Sequence, residues 1–380
     1  MHRQTPKNRT NGLRRFVKRA NPRFVFYPHC DLLAGVLERV ARGEIKRLMI
    51  FLPPRHTKSE LVSRLFSAYY LLNNPHHFVG INSYAAELAF TLSSAARDNF
   101  IKCGGELSSR TTAKNHWETT QGGGMWAAGV GGPITGKGFH LGIIDDPIKN
   151  SEDANSETIR EKQKEWYSST FYTREEPDAA IIVIQTRWHE DDLAGWLLQE
   201  EQNDESGIGA ENWHIVNLPA FADEPQTFPD SCTVEPDPRE IGEPLCPERY
   251  SAEKLLKKKA KGERNFEALY QQHPTPKEGY FFDVTQLEIV DEIPADRRQV
   301  RGWDKAATKG DGDFTASGKV SKNGTGIFYI EDVTRGQWDT ATRDKHIRQT
   351  AETDGRPVRQ IGEQEPGSGG KESAENLKVK

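Results

Sequence analysis

Lys58 and Ser59 close the stretch FLPPRHTKSE, residues 51–60. A Lys-Ser pair that follows an apolar strand and opens a helix is how a phosphate-binding loop ends. Such a loop needs backbone N–H groups turned toward phosphate, a lysine that reaches the β and γ oxygens, and a hydroxyl for Mg²⁺. The usual pattern is G-x-x-x-x-G-K-[ST], but here Leu52 and Thr57 stand at the two glycine positions. Glycine makes the turn easy without supplying the chemistry. Pro53-Pro54 can fix the turn instead, and Arg55 adds positive charge. On its own the segment is either a nucleotide loop or a chance Lys-Ser at a helix start.

A second segment weighs between the two. LGIIDDP (141–147) is an apolar strand ending in two acids, the form of a Walker B segment. There Asp145 would hold Mg²⁺ through water and Asp146 would polarise the attacking water. Alone, Asp-Asp-Pro reads as a turn capping a helix; together with the Lys-Ser loop it favours a nucleotide site. The glycine-rich stretch 122–140 contains a rival Gly136-Lys137, but no strand-to-helix pattern surrounds it. Arg55 and Arg97 are candidates for the positive charge that phosphoryl transfer needs on the γ-phosphate, although Arg97 also fits a plain surface position. Tyr27 and His29 either meet the adenine or pack in the core.

Further acids stand near the end of the chain. RGWDKAATKGDGDFTA (301–316) ends a strand in Asp304, and VRQIGEQEPGSGGK (358–371) ends another in Glu363 and Glu365. Period-two alternation puts 361, 363 and 365 on one face. Acids at the ends of adjacent strands can gather the two metal ions of an RNase H-like nuclease, or they can be ordinary solvated turn residues.

The elements that must position these groups alternate. KRLMIFL (46–52), HFVGINS (77–83), LGIIDD (141–146) and AAIIVIQT (179–186) read as strands, and KSELVSRLFSAYYLLN (58–73) and AAELAFTLSSAARDNF (85–100) as helices. Strand–helix alternation implies a parallel sheet covered on both faces. Residues 200–247 are rich in Pro, Asp, Glu and Gly and look like a linker, with NWHIVNLPAFA as one further strand. A basic helix over 251–272 precedes a second set of strands at 298–304, 314–321, 326–336 and 356–365. The middle two flank KNG, a hairpin signal.

Composition bounds the rest. The 380 residues suffice for two domains. A net charge of −5 does not mark a nucleic-acid binder, yet the basic residues cluster at 2–23 and in KKKAKGER (257–264). Such runs are solvated tails or phosphate-binding patches. Cys30, Cys103, Cys232 and Cys246 lack C-x-x-C spacing, which argues against zinc or a disulfide framework and fits a reducing cytoplasm. No apolar run approaches the ~20 residues of a membrane span, and the basic start lacks a signal-peptide core.

LPPRHTKSE, GVGGPITGKGFHLGIIDDPIKN and IIVIQTRWHEDDLAG resemble, in that order, the large terminase subunit of tailed bacteriophages, the motor and nuclease that packages viral DNA. The resemblance runs from about residue 20 to the chain end. It implies an α/β architecture: a P-loop ATPase with a mainly parallel sheet flanked by helices, followed by a partial RNase H-like α/β nuclease domain. The bounds expected are a basic tail (1–22), the ATPase core (23–200), a linker and connecting helical region (201–278) and an incomplete nuclease domain (279–380). Arg55, His56, Thr57, Lys58 and Ser59 would form the ATP loop, with Ser59 and Asp145 on Mg²⁺. Asp146 would be the catalytic acid, and Gln185, Thr186 and Arg187 would couple hydrolysis to movement. Asp304 resembles the first nuclease metal ligand and Glu363 the second, with Glu365 next in line, for Mg²⁺ or Mn²⁺.

Two departures matter. The family has glycine where Thr57 stands, and a β-branched residue strains any φ > 0 conformation. Its catalytic acid is commonly Glu, one methylene longer than Asp146. Either would slow hydrolysis without abolishing binding. The family's third nuclease acid comes later in the domain, and this chain stops at Lys380. The chain is then a fragment or a naturally shortened gene, with Asp311 or Asp313 as substitutes, an uncovered sheet, and cutting by this chain alone disfavoured. The implied partners are double-stranded DNA, a small terminase subunit, a portal protein and further copies in a ring, in the host cytoplasm and away from membrane. Two other readings stand: a helicase-like ATPase, for which 280–380 offers no second lobe, and an inactive prophage remnant that binds DNA or nucleotide without turnover.

Overall fold

The computed structural model describes residues 12–134, 136–204, 207–275, 287–306 and 314–362. The chain divides into two compact units, Met1–Phe282 and Asp283–Lys380.

The first unit opens with α1 (Gly12–Ala20) and α2 (Pro28–Ala41). In α1 the apolar residues Leu13, Phe16, Val17 and Ala20 follow helical spacing and are buried, with Arg14, Arg15, Lys18 and Arg19 on the other faces. From Gly12 onward the segment expected to be a basic tail is therefore a packed amphipathic helix. The periodicity of its few apolar residues outweighs its charge. Glu38 on α2 accepts the Leu13 N–H at 2.8 Å, satisfying a free donor at the helix start.

Next come β1 (Arg47–Phe51), a π-helical segment (Glu60–Phe66) continued by α3 (Ser67–Asn73), β2 (Phe78–Ser83) and α4 (Ala86–Lys102). After them lie β3 (Leu107–Ala113), β4 (His116–Thr119), β5 (Gly124–Gly129), β6 (Phe139–Asp145), α5 (Ser151–Asn155), α6 (Glu157–Trp166), β7 (Glu175–Gln185) and α7 (Leu193–Asn203). Finally β8 (His214–Asn217), β9 (Thr233–Val234), α8 (Ala252–Lys259) and α9 (Glu263–Leu269) complete the unit.

The sheet order is β3-β4-β5-β2-β6-β7-β1-β8-β9. Pairing is parallel from β5 to β9, and β3 and β4 add an antiparallel edge. The central strands are continuous apolar runs because both faces are covered. In β1, Leu48 and Ile50 join the core beside α1 to α4, while Met49 and Phe51 join the core beside α6 and α7.

The segment 201–278, expected to be a linker, is part of this unit. β8 lies beside β1, with Leu48 opposite His214 and Phe51 opposite Asn217, and β9 follows it. Ala220, Leu255 and Phe266 form a small core of their own. The further strand expected in NWHIVNLPAFA is β8, only four residues long. The single basic helix expected over 251–272 is two, α8 and α9, broken between Lys259 and Glu263. The glycine-rich connection before β6 contributes β5.

The second unit holds β10 (Arg297–Asp304), β11 (Thr315–Asn323), β12 (Phe328–Gly336), α10 (Thr340–Asp354) and β13 (Val358–Gly362), in the sheet order β12-β11-β10-β13. β10, β11 and β12 run antiparallel, and β13 lies parallel to β10. The β11–β12 hairpin turns on Asn323, whose Oδ1 accepts from Thr325 N–H at 3.1 Å and Ile327 N–H at 2.9 Å, with Gly326 at φ 94°. Buried Arg301 on β10 donates to Asp354 and Asp332, each at 2.6 Å, fastening the helix and the neighbouring strand to it. Phe328, Ile330 and Val333 on β12 and Ile361 on β13 are exposed. No helix among the described residues is long and apolar enough to cross a membrane.

Candidate functional site

In open parallel sheets ligands sit outside the carboxyl ends of the strands. Register brings those ends level: Ser83 lies opposite Asp145, and Phe51 lies opposite both Gln185 and Asn217. The 52–59 loop leaves β1 at this edge, and β6 ends there in Asp145.

The loop makes its turn without glycine. Arg55 and Thr57 both take left-handed backbone, φ 66° and 67°. That region costs a non-glycine residue roughly 1–3 kcal/mol. Of the six non-glycine residues with positive φ among the described ones, Arg55, Thr57 and Asp146 all belong here. Left-handed residues at 55 and 57, with one of negative φ between them, are the alternation of an anion-binding nest.

The groups picked out by sequence around Lys58 meet. Its ammonium is buried, donates to Thr186 Oγ1, and lies 3.2 Å from Asp146 Oδ1. Ser59 Oγ donates to Asp145 Oδ1 at 2.9 Å, and Ser63 Oγ donates to Asp145 Oδ2. Burial, and then the charge of neighbouring Asp146, hold the Asp145 carboxyl above the usual carboxylate range. Asp146 sits at φ 46°, and its Oδ1 accepts the Thr186 N–H at 2.9 Å. Ser63 was not singled out by sequence; its position one helical turn after Ser59 was the available signal.

Polar atoms without partners gather along the same edge. Both side-chain polar atoms of Gln185, together with Asn82 Oδ1, Ser83 Oγ and Asn217 Oδ1, are buried and unpaired among the described residues. Each such atom costs about 1–3 kcal/mol unless something satisfies it, so a polar ligand fits here. A Ser hydroxyl beside a carboxylate is an all-oxygen donor set suited to Mg²⁺, which keeps waters and takes substrate phosphates instead of a full protein cage. No cluster of three or more His, Cys, Asp or Glu shaped for a metal occurs among the described residues.

The segment after β7 ties this edge to the helices. Arg187 stacks over the Phe51 ring at 5.1 Å, pairs with buried Asp192 at 2.9 Å, and its backbone N–H donates to Gln272 Oε1 at 3.2 Å. Asp192, which sequence reading passed over, also caps α7 by accepting the Gly195 N–H at 3.0 Å. Asp191 binds Arg160 at 3.0 Å and Lys164 at 2.7 Å on α6.

Other candidates fall elsewhere. His29 lies behind the loop, its Nε2 3.3 Å from the His56 carbonyl, and burial pushes its pKa down to about 4. Half-buried Tyr27 stacks on it, centroids 5.8 Å apart. His56 is buried too, donating from Nδ1 to the Pro54 carbonyl at 3.0 Å, and burial lowers it likewise to about 4. Arg97 donates to the Thr112 carbonyl at 2.7 Å and pairs with Asp98 at 3.3 Å, engaged away from the Lys58 cluster. In the second unit exposed Asp304 ends β10 opposite Ala316, and the residue before it, Trp303, pairs with Gly362. Glu363, Glu365, Asp311 and Asp313 lie outside the described residues.

Residues 49–285, more than half of the chain, match the profile of the family described as terminase large subunit, T4likevirus-type, N-terminal. Among solved structures the chain is similar to the large terminase of bacteriophage HK97, at 15% identity over 94% of this chain and 74% of that one, TM-score 0.45. The large terminase of a thermophilic bacteriophage, in complex with ATP-γ-S, matches at 8% identity over 92% of this chain and 76% of that one, TM-score 0.34. A variant of the Thermus phage P74-26 large terminase ATPase domain matches at 14% identity over 66% of this chain and 99% of that one, TM-score 0.39. These scores are low, and the family assignment rests on the profile. No curated protein matches.

Proposed function

The chain belongs to the terminase large subunit family, and on that premise we propose that it hydrolyses ATP at the Lys58–Asp145 site to drive double-stranded DNA into a viral procapsid. The observation that carries this is the meeting of loop and acids: Ser59 Oγ 2.9 Å from Asp145 and Lys58 Nζ 3.2 Å from Asp146.

The residues divide the chemistry. The amide groups of the 55–59 nest would receive the phosphates, and Lys58 would turn from Asp146 to the β and γ oxygens. Freed of the ammonium, Asp146 would orient and polarise the attacking water. Ser59 and Asp145 would hold Mg²⁺, which when bound supplies charge neutralisation across the transferring phosphoryl group. Thr186 contacts both Lys58 and Asp146, so their exchange would register in the Gln185-Thr186-Arg187 segment. Arg55, in the loop, is nearer this chemistry than Arg97. A charge from Arg97 would have to be given to a neighbouring copy in a ring.

A motor that grips DNA turns over faster when DNA is present. ATP hydrolysis by the full chain is expected to rise several-fold on adding linear duplex DNA, and the stimulation to fade between about 50 and 200 mM salt as phosphate contacts are screened. Equal rates with and without DNA would remove the motor reading. Turnover absent altogether, with nucleotide still bound, would leave the inactive remnant.

For the second unit we propose an RNase H-like nuclease domain. Three antiparallel strands, a helix and a fourth strand beside the first are the order in which that fold begins. Asp304 with Glu363, and Glu365 next, would share Mg²⁺ or Mn²⁺. If so, Asp304→Asn abolishes Mn²⁺-dependent nicking of plasmid DNA by the full chain; undiminished nicking would sink the placement. A small terminase subunit, a portal ring and the host cytoplasm come with the family reading.

A further inference from the structure

We propose that the first turn of α2 buttresses the glycine-free loop, with His29 and Cys30 acting as positioning residues for nucleotide binding. This rests on the reading of 52–59 as a phosphate loop.

Thr57 stands in a backbone conformation that β-branched residues avoid. Its side chain is fixed from three directions. Thr57 Oγ1 donates to the His56 carbonyl at 2.6 Å. With its proton so committed, Oγ1 accepts from the Cys30 thiol, 3.2 Å away. His29 Nε2 lies 3.3 Å from the His56 carbonyl and 3.5 Å from Thr57 Oγ1. Burial keeps that imidazole neutral, so it carries one N–H, and in the tautomer with that proton on Nε2 the His56 carbonyl is the acceptor it reaches. One assignment of donors fits these contacts: hydroxyl to carbonyl, thiol to hydroxyl, imidazole to the same carbonyl; the Cys30 sulfur also lies 3.4 Å from His29 Nε2, and His29 Nδ1 stays unpaired among the described residues.

These contacts bear on the peptide between residues 56 and 57, whose carbonyl orientation sets where the next amides of the nest point. Both helpers come from adjacent positions of one helical turn, Pro28 to Asp31, placed 27 residues earlier in the chain. Glycine at 57 would need neither, since it enters the left-handed region freely and has no hydroxyl to fix. The buttress and the threonine thus form a set: His29 and Cys30 matter because residue 57 is not glycine.

The set predicts a dependence between sites that core packing alone does not produce. Binding of a fluorescent ATP analogue with Mg²⁺ to the full chain is measured in two backgrounds, Thr57 and Thr57→Gly. With threonine, His29→Ala and Cys30→Ala each weaken binding about three- to ten-fold, the range of one lost hydrogen bond. With Thr57→Gly they change it by less than about two-fold, by the same reasoning. Cys30→Ser, which keeps a donor in place, binds like wild type and serves if His29→Ala fails to fold. Equal losses in both backgrounds, or a Cys30→Ser as weak as Cys30→Ala, would overturn the buttress while a loss of binding in Lys58→Ala left the phosphate-loop reading standing. Binding indifferent to Lys58→Ala would overturn both.

Discussion

Replacing Lys58 with alanine is expected to cut ATP turnover by about 10²–10³-fold, the usual effect of removing one preorganised charge stabiliser from a transition state. The argument is geometric. Among the described residues Lys58 is the ammonium that meets both Thr186 and Asp146 at the carboxyl edge of the sheet, beside the amides that would receive phosphate. Lys58 is buried in the cluster, whereas Arg55 is exposed in the loop. Stability should change little, because Asp146 keeps the Thr186 N–H and its carboxylate is open enough to hydrate. Phosphate release by purified variant and wild type, with circular dichroism to check the fold, decides it. A variant as fast as wild type would mean hydrolysis happens elsewhere or not at all.

Asp145→Asn is expected to lower Mg²⁺-dependent hydrolysis by a similar factor of about 10²–10³, yet to raise the melting temperature of the nucleotide-free chain. The two effects have one source. Asp145 is about 1% exposed, next to a second carboxylate, and its side chain is held by two hydroxyl donors. Burying such a charge is unfavourable. An asparagine of the same shape removes the repulsion and still accepts from Ser59, while the Ser63 hydroxyl can rotate to accept from the new amide. What is lost is the anionic oxygen that a hard cation requires. A drop in melting temperature would show that the carboxylate is structural, and the metal assignment would then lose its support.

The sequence disclosed the core of the sheet because β1, β6 and β7 are buried on both faces and so read as unbroken apolar runs. It picked out Lys58, Ser59, Asp145 and Asp146 as candidates because a nucleotide site calls for those types at or just beyond strand ends, and the structure brings their side chains together. It could not order the strands. β8 lies beside β1 although about 160 residues or more separate them in the chain, and only tertiary packing decides that neighbour. The polar strands β3 and β4 are four to seven residues at an edge of the sheet, with little apolar pattern to notice. Charge misled at α1, where four apolar residues outweigh the basic ones around them. From sequence His29 reads equally as an adenine partner or a core residue; its burial behind the loop follows from the turn of α2, which no local pattern announces.

The Asp192 carboxylate has a mechanical consequence. It both anchors the guanidinium leaning on Phe51 and closes the first turn of α7. The strand that leads into the loop and the helix on the flank of the sheet therefore hang on the same pivot. Loss of the Asp192 carboxylate would therefore release the guanidinium and uncap the helix in one step.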